Sequence, residues 1–371
     1  MSTEKKLFEN GIRRYLDEHH RMPSGHGAVA VEEIERHWRG FAELGWLGLT
    51  IPEDFGGLGL DYGYQRLLMQ EFGRSLLVSP YVACCVLASG AIQTAGSEAL
   101  KASILPAVAS GELKATFSAS ETTLAFSPES VATTAVPCQG GYRVSGVKSA
   151  VPFADISDVV VLTARTPGPS SLEAGVTMFL VDLRSSGISM TTYAAHDGAR
   201  VSNVTLRDVF VSDDAVLGSA GEGLRPSLQA INAGLAALCA ESVGCMKEAL
   251  AQTIAYMKVR TQFRGTLSSF QALQHRVADT YMRCIMAEAM LRDIDDPLTS
   301  APKALSAVKY HVGTAAAQVV ADCVQLHGAI GLTSELAIGR YFKRITMINH
   351  YLGDPGTHLT RYAARLEDEN G

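Results

Sequence analysis

The apolar residues of this chain change their period twice, and that switch constrains the fold more than any single motif. Up to residue 112 they recur every three or four positions, as in Val31, Ile34, Trp38, Phe41 and Leu44, a helical face that stops at Gly45. The glycine-rich stretch 51–60 reads as loop, and helices follow over 64–73 and 81–95. From 113 to 225 the pattern alternates instead. Residues 142–147 alternate behind a Gln139-Gly-Gly turn, a hairpin signature, and 159–162, 176–181 and 201–211 read as further strands. Beyond 226 the helical period returns: 228–258 is rich in Ala, Leu and Met without proline, and 270–293, 303–326 and 335–349 follow it. The chain therefore reads as α+β, with an N-terminal helical domain (1–112), a small β-barrel or sandwich (113–225) and an antiparallel C-terminal four-helix bundle (226–371).

Composition narrows the function. With 47% hydrophobic and 19% charged residues, the 371-residue chain can bury a sizeable core. A net charge of −6 without a basic run leaves no electrostatic footprint for nucleic acid or for an anionic membrane. The first ten residues carry Glu4, Lys5, Lys6 and Glu9 around no apolar centre, unlike a secretory signal. The longest apolar stretch, 81–92, is shorter than the roughly 18 residues that a membrane span needs. A cytoplasmic protein is expected. Seven cysteines without Cys-x-x-Cys, and ten histidines without His-x-x-x-His, read as buried free thiols and no metal site.

Three separated motifs carry chemistry. Ala42-Glu-Leu-Gly-Trp-Leu-Gly-Leu-Thr-Ile-Pro-Glu-Asp-Phe-Gly-Gly57 joins a helix to a tight loop. Lys258-Val-Arg-Thr-Gln-Phe263 is followed by Phe270-Gln-Ala-Leu-Gln-His-Arg-Val-Ala-Asp279. Gln325-Leu-His-Gly-Ala-Ile-Gly331 precedes Arg340-Tyr-Phe-Lys-Arg-Ile345. In this order, and over nearly the whole chain, they resemble the acyl-CoA dehydrogenase family. The resemblance implies FAD, contacted by Arg260, Phe263, Gln271, Gln325, His327, Gly328 and Ala329. A guanidinium fork suits phosphate oxygens, and a carboxamide both donates and accepts. One departure is that Arg264 stands between Phe263 and Gly265, where the family reads Phe-Gly directly.

The mismatches are as informative. The family's flavin loop, Ser/Thr-Glu-Pro-x-Ala-Gly-Ser-Asp, corresponds to Ser120-Glu-Thr-Thr-Leu-Ala-Phe-Ser127, where Ser120 and Glu121 survive and Leu124-Ala-Phe126 replaces the small residues. The triplet that normally covers the flavin, led by an aromatic residue, becomes Ala150-Val-Pro152. Removing a proton beside a thioester carbonyl needs a carboxylate, worth about 10²–10⁴-fold in rate. The family places it after the final bundle helix or on the first one, and those positions map to Gly353 and Gly234. Asp354, next to the late position, is the candidate substitute.

In such enzymes the flavin lies near a subunit interface, with the loop and base from one chain and the Arg and Gln residues from its neighbour. This sequence keeps the reaching residues and loses the holding ones. The resemblance thus implies a heterotetramer in which a homologous acyl-CoA dehydrogenase subunit supplies the base. It further implies an acyl-CoA substrate and an electron-transfer flavoprotein or similar acceptor. Paired subunits of this kind resemble those of bacterial steroid side-chain degradation. A self-sufficient homotetramer using Asp354, a flavin monooxygenase of the same fold and a flavin-free scaffold stay open on the sequence alone.

Overall fold

The computed structural model describes residues 2–20, 27–118, 120–121, 126–167, 175–333 and 335–370. Five helices open the chain: α1 (Thr3–His19), α2 (Val31–Glu43), α3 (Tyr62–Ser75), α4 (Ser89–Ala95) and α5 (Glu98–Ala109). Their starts follow from short polar caps. Ser2, Asp61 and Ser97 accept the backbone N–H of Lys5, Tyr64 and Leu100, each satisfying an otherwise orphan donor. Of the apolar face expected on α2, Ile34, Trp38 and Phe41 are buried and Val31 is half-buried, while Leu44, just past its end, is exposed. The stretch expected as one helix over 81–95 begins instead as a π-helical run, Val82–Ala88, that continues into α4. That run is buried throughout, and the Ser89 hydroxyl donates to the Cys84 carbonyl at 2.9 Å.

The middle of the chain forms one mixed sheet. Its strands are β1 (Ala115–Ser118), β2 (Thr134–Cys138), β3 (Gly141–Pro152), β4 (Val159–Arg165), β5 (Val176–Asp182), β6 (Ile188–Ala194), β7 (Arg200–Ser212) and β8 (Val216–Leu217). The order is β6-β7-β3-β2-β4-β5-β8, with β1 parallel to β4. The β2–β3 hairpin turns at Gln139 and Gly140 as the sequence indicates, since Cys138 pairs with Gly141. Side chains of β3 and β7 (Val144, Val204, Val209) share one core with those of β4 and β5 (Val160, Leu162, Phe179). The sheet therefore folds over its own apolar face, in sandwich fashion.

Helices resume with α6 (Leu224–Val259), a 36-residue rod, then a short hairpin of β9 (Thr261–Gln262) and β10 (Gly265–Thr266). Next come α7 (Gln271–Arg292), α8 (Pro302–His327), α9 (Ile338–His350) and α10 (Pro355–Asn370). The four expected bundle helices are present. α10 follows them as a further helix beyond the four read from the sequence. Length and composition would let α6 and the stretch 302–332 cross a membrane, yet 89% and 44% of their most apolar windows are buried in the protein. Six cysteines are buried and free; Cys138 departs from that expectation and is exposed.

Candidate functional site

A cavity of about 490 Å³ opens where the β domain meets α9 and α10, lined by Ser120, Ser149, Ala150, Pro152, Tyr351 and Gly353 among others. On its β side the sequence forces an irregular backbone. The β3–β7 register breaks between Lys148 and Val151, and Ala150 takes a φ of +50° while its N–H donates to Asn203 Oδ1 at 3.0 Å. Glu121, the retained loop acid, faces inward. It accepts the N–H groups of Ala132 and Thr133 and pairs with the buried Lys148 ammonium. Burial alone would raise the Glu121 carboxyl, but Lys148 and these donors hold it below the usual range. It anchors the loop and offers the cavity no base. Leu124 lies outside the described residues.

Both expected base positions are physically filled. A Cβ on Gly353, whose φ is +94°, would lie 2.9 Å from His358 Nε2 and 2.9 Å from Phe126 Cδ1. A Cβ on Gly234 would lie 2.5 Å from Leu87 Cδ2 and 2.9 Å from Leu352 Cδ1. Neither position admits a side chain unless these neighbours move. Phe126 is fixed from the other side: its ring stacks on His358 with centroids 6.3 Å apart, and Arg361 lies over it while reaching the Glu129 carboxylate at 3.3 Å. His358 is neutral, its pKa pushed down to about 4 by burial. Its Nε2 stands 2.8 Å from the Leu352 carbonyl, which can only accept, so that nitrogen carries the proton. Lys309 secures the same turn by donating to the Ile348 carbonyl at 2.5 Å; burial lowers its ammonium to about 8. Sequence reasoning missed this turn-and-plug cluster because Phe126 and His358 are 232 positions apart.

Asp354 does other work. Its Oδ1 accepts the Thr357 N–H at 2.7 Å in the first turn of α10. That hydrogen bond is the main reason its carboxyl lies below the usual carboxylate range, which weakens it as a base. On the cavity wall, Arg344 donates to Asp197 and to Glu241 at 2.5 Å each, tying the β6–β7 turn to α6.

The residues expected to touch a dinucleotide lie elsewhere. Arg260 follows the last turn of α6, and its exposed side chain has no hydrogen bond or ion pair among the described residues. The extra residue after Phe263 has a local cause. Phe263 and Arg264, at φ +52° and +66°, form the two-residue turn of the β9–β10 hairpin. Phe263 is 83% exposed, with its ring edge toward Phe270. Gln271 opens α7, Gln325 sits in the last turn of α8, and Gly328 and Ala329 follow; all four are exposed. Nothing lies within 4 Å of a Cβ built on Gly328.

Two contacts gather these pieces at one end of the bundle. Tyr256 stacks on His327 at 4.5 Å, and Asp322 of α8 draws in Arg276 and Arg283 of α7. His327 is the exception in the set. Its ring is buried, with Nδ1 2.8 Å from the Cys323 carbonyl, so it shapes the turn from inside. An anionic diphosphate would find here a free guanidinium, two carboxamides and an unobstructed backbone turn, which fits the chemistry. Arg260, Phe263, Gln271, Gln325 and Gly328 do not line the cavity.

Comparison with known proteins supplies the context. The family described as "Acyl-CoA dehydrogenase, N-terminal domain" matches residues 2–112, the middle domain 116–209 and the C-terminal domain 221–367. The caffeyl-CoA reductase-Etf complex subunit CarC of Acetobacterium woodii is 28% identical over 320 residues, covering 84% of each chain. A solved steroid ACAD, the Tcur3481-Tcur3483 G363A variant, superposes with a TM-score of 0.87 at 28% identity, over 99% of this chain and 98% of the other. The ChsE4-ChsE5 complex of Mycobacterium tuberculosis gives 0.86 at 22% identity over the same shares, a likeness of fold.

Proposed function

The chain belongs to the acyl-CoA dehydrogenase family of flavin-dependent oxidoreductases, and from that premise we propose that it is the base-less subunit of a heteromeric enzyme. The observation that carries it is the crowding at Gly234 and Gly353, where a side chain fits only if Leu87 and Leu352, or Phe126 and His358, give way. FAD, when bound, supplies the hydride acceptor for α,β-dehydrogenation of an acyl-CoA thioester. This chain's part is to hold it. Arg260 offers its guanidinium fork to the diphosphate, Gln271 and Gln325 complete the polar contacts, and Gly328 lets the backbone come close. Asp354 moves no proton, because its oxygen is engaged by Thr357.

The homologous partner supplies base and acyl pocket, and an electron-transfer flavoprotein or similar acceptor takes the electrons. Relatives described as a subunit of an Etf complex and as a two-chain complex support both parts of this reading. The steroid enzyme among the structural neighbours supports a bulky, steroid-like acyl-CoA. Co-expression with a carboxylate-bearing homologous chain tests it. Acyl-CoA-dependent reduction of an artificial acceptor is expected only from the pair; turnover by this chain alone would overturn the proposal.

A further inference from the structure

The N-terminal helices bring together three ligand-type side chains that the dehydrogenase chemistry does not use. His20 caps the end of α1, while Glu33 and His37 lie one turn apart on α2. One donor atom from each falls within 4.8 Å of the others. His20 Nδ1 and His37 Nε2 are 3.4 Å apart, and Glu33 Oε1 is 3.9 Å from His20 Nδ1. Both imidazole side chains are almost wholly buried, and Glu33 is a quarter exposed.

The protons do not resolve themselves within the protein. His20 Nε2 faces the Ser75 carbonyl at 3.1 Å, so it carries the proton and leaves Nδ1 with its lone pair. His37 Nδ1 is buried without a hydrogen-bond partner among the described residues. If His37 carries its proton on Nδ1, two lone pairs face each other across 3.4 Å. If it carries it on Nε2, a bare acceptor is sealed in the core. A cation between the rings removes the first conflict.

The spacing suits one. Zinc–nitrogen bonds of about 2.0–2.1 Å in a tetrahedral site place neighbouring ligand atoms about 3.3 Å apart. The His20 Nε2–Ser75 contact is the outer hydrogen bond that orients a metal-bound imidazole. Arg36, whose Nη2 lies 3.5 Å from His37 Nε2, competes for the same lone pair, but its side chain is exposed and can turn away.

We infer that His20, Glu33 and His37 form a three-ligand site for a zinc-class divalent cation, with water completing the tetrahedron. The ion ties the end of α1 to α2 and, through His20, to the last turn of α3. Its role is structural and independent of flavin.

The test uses the full chain after treatment with a chelator. Zinc added alone should bind one ion per chain by calorimetry and raise Tm by about 3 °C at a hundredfold excess over Kd. Cobalt(II) should give the intense visible bands of tetrahedral coordination. Glu33→Gln and His20→Gln should each weaken zinc about tenfold or more, while Cys138→Ser, which removes the exposed thiol, should not. If His20→Gln does not fold, Glu33→Gln at the partly exposed position carries the comparison. Absence of zinc binding, octahedral cobalt spectra, or binding that survives Glu33→Gln would each overturn the inference.

Discussion

Two arginines of the C-terminal helices stand in opposite circumstances. Arg344, only slightly exposed, is clamped between the carboxylates of Asp197 and Glu241, so its charge is paired inside the chain. Arg260 is exposed at the end of α6, with its guanidinium unspent. The contrast extends to their surroundings. In the cavity that Arg344 helps to line, a Cβ on Gly353 would meet Phe126 and His358; at Gly234, outside that lining, it would meet Leu87 and Leu352. Gln271, Gln325 and Gly328 are likewise exposed, and a Cβ on Gly328 would meet nothing within 4 Å among the described residues. Interior packing is what a protein uses to fix its own shape; an unspent, convergent polar surface is what it offers to something else.

Substitutions can break or sharpen that contrast. The largest effect is expected at Arg344. Arg344→Met strands two buried carboxylates and should cost about 3–5 kcal/mol, read as a lowered denaturation midpoint. Next is Gly353→Glu, which restores the missing acid. At φ +94° and against Phe126 and His358 it should cost about 2–3 kcal/mol and still yield no dehydrogenase activity in the isolated chain. Adding Phe126→Ala should recover part of that stability; no recovery would mean that Phe126 is not the plug.

Arg260→Ala should leave the chain's own stability within about 0.5 kcal/mol. In the complex it should weaken flavin by roughly tenfold to a hundredfold, the worth of a charged hydrogen bond. The smallest effect belongs to Asp354. Asp354→Ala removes a helix cap and should cost about 1 kcal/mol with the activity of the complex unchanged. Because the folded-state carboxyl is lowered, that contribution is present above the unfolded-state value and fades as pH falls through the folded one. A loss of turnover in this variant would restore Asp354 as the base.

Much of the architecture was legible because period is a local signal. The β2–β3 hairpin, the long proline-free α6 and the α2 face all follow from spacing. The glycines at 234 and 353, where the resemblance puts the carboxylate, were also plain in the sequence. What occupies their space was not, because Phe126 meets His358 across domains and no spacing announces it. The π-helical start at Val82 was hidden by an apolar run that suits either helix. α10 starts from Asp354, whose Oδ1 caps it through the Thr357 N–H, a signal present in the sequence as Asp-Pro but not weighed there. The buried role of His327 was equally silent, since a histidine beside Gly328 looks the same in sequence whether it points in or out.

On the function proposed above, this chain holds flavin for a partner and not for itself. The visible spectrum of the chain purified alone, compared with that of the co-expressed pair, tests it most directly. The account predicts nearly colourless protein alone and flavin only in the pair, retained through gel filtration. Stoichiometric yellow protein that bleaches with acyl-CoA in the absence of a partner would contradict it.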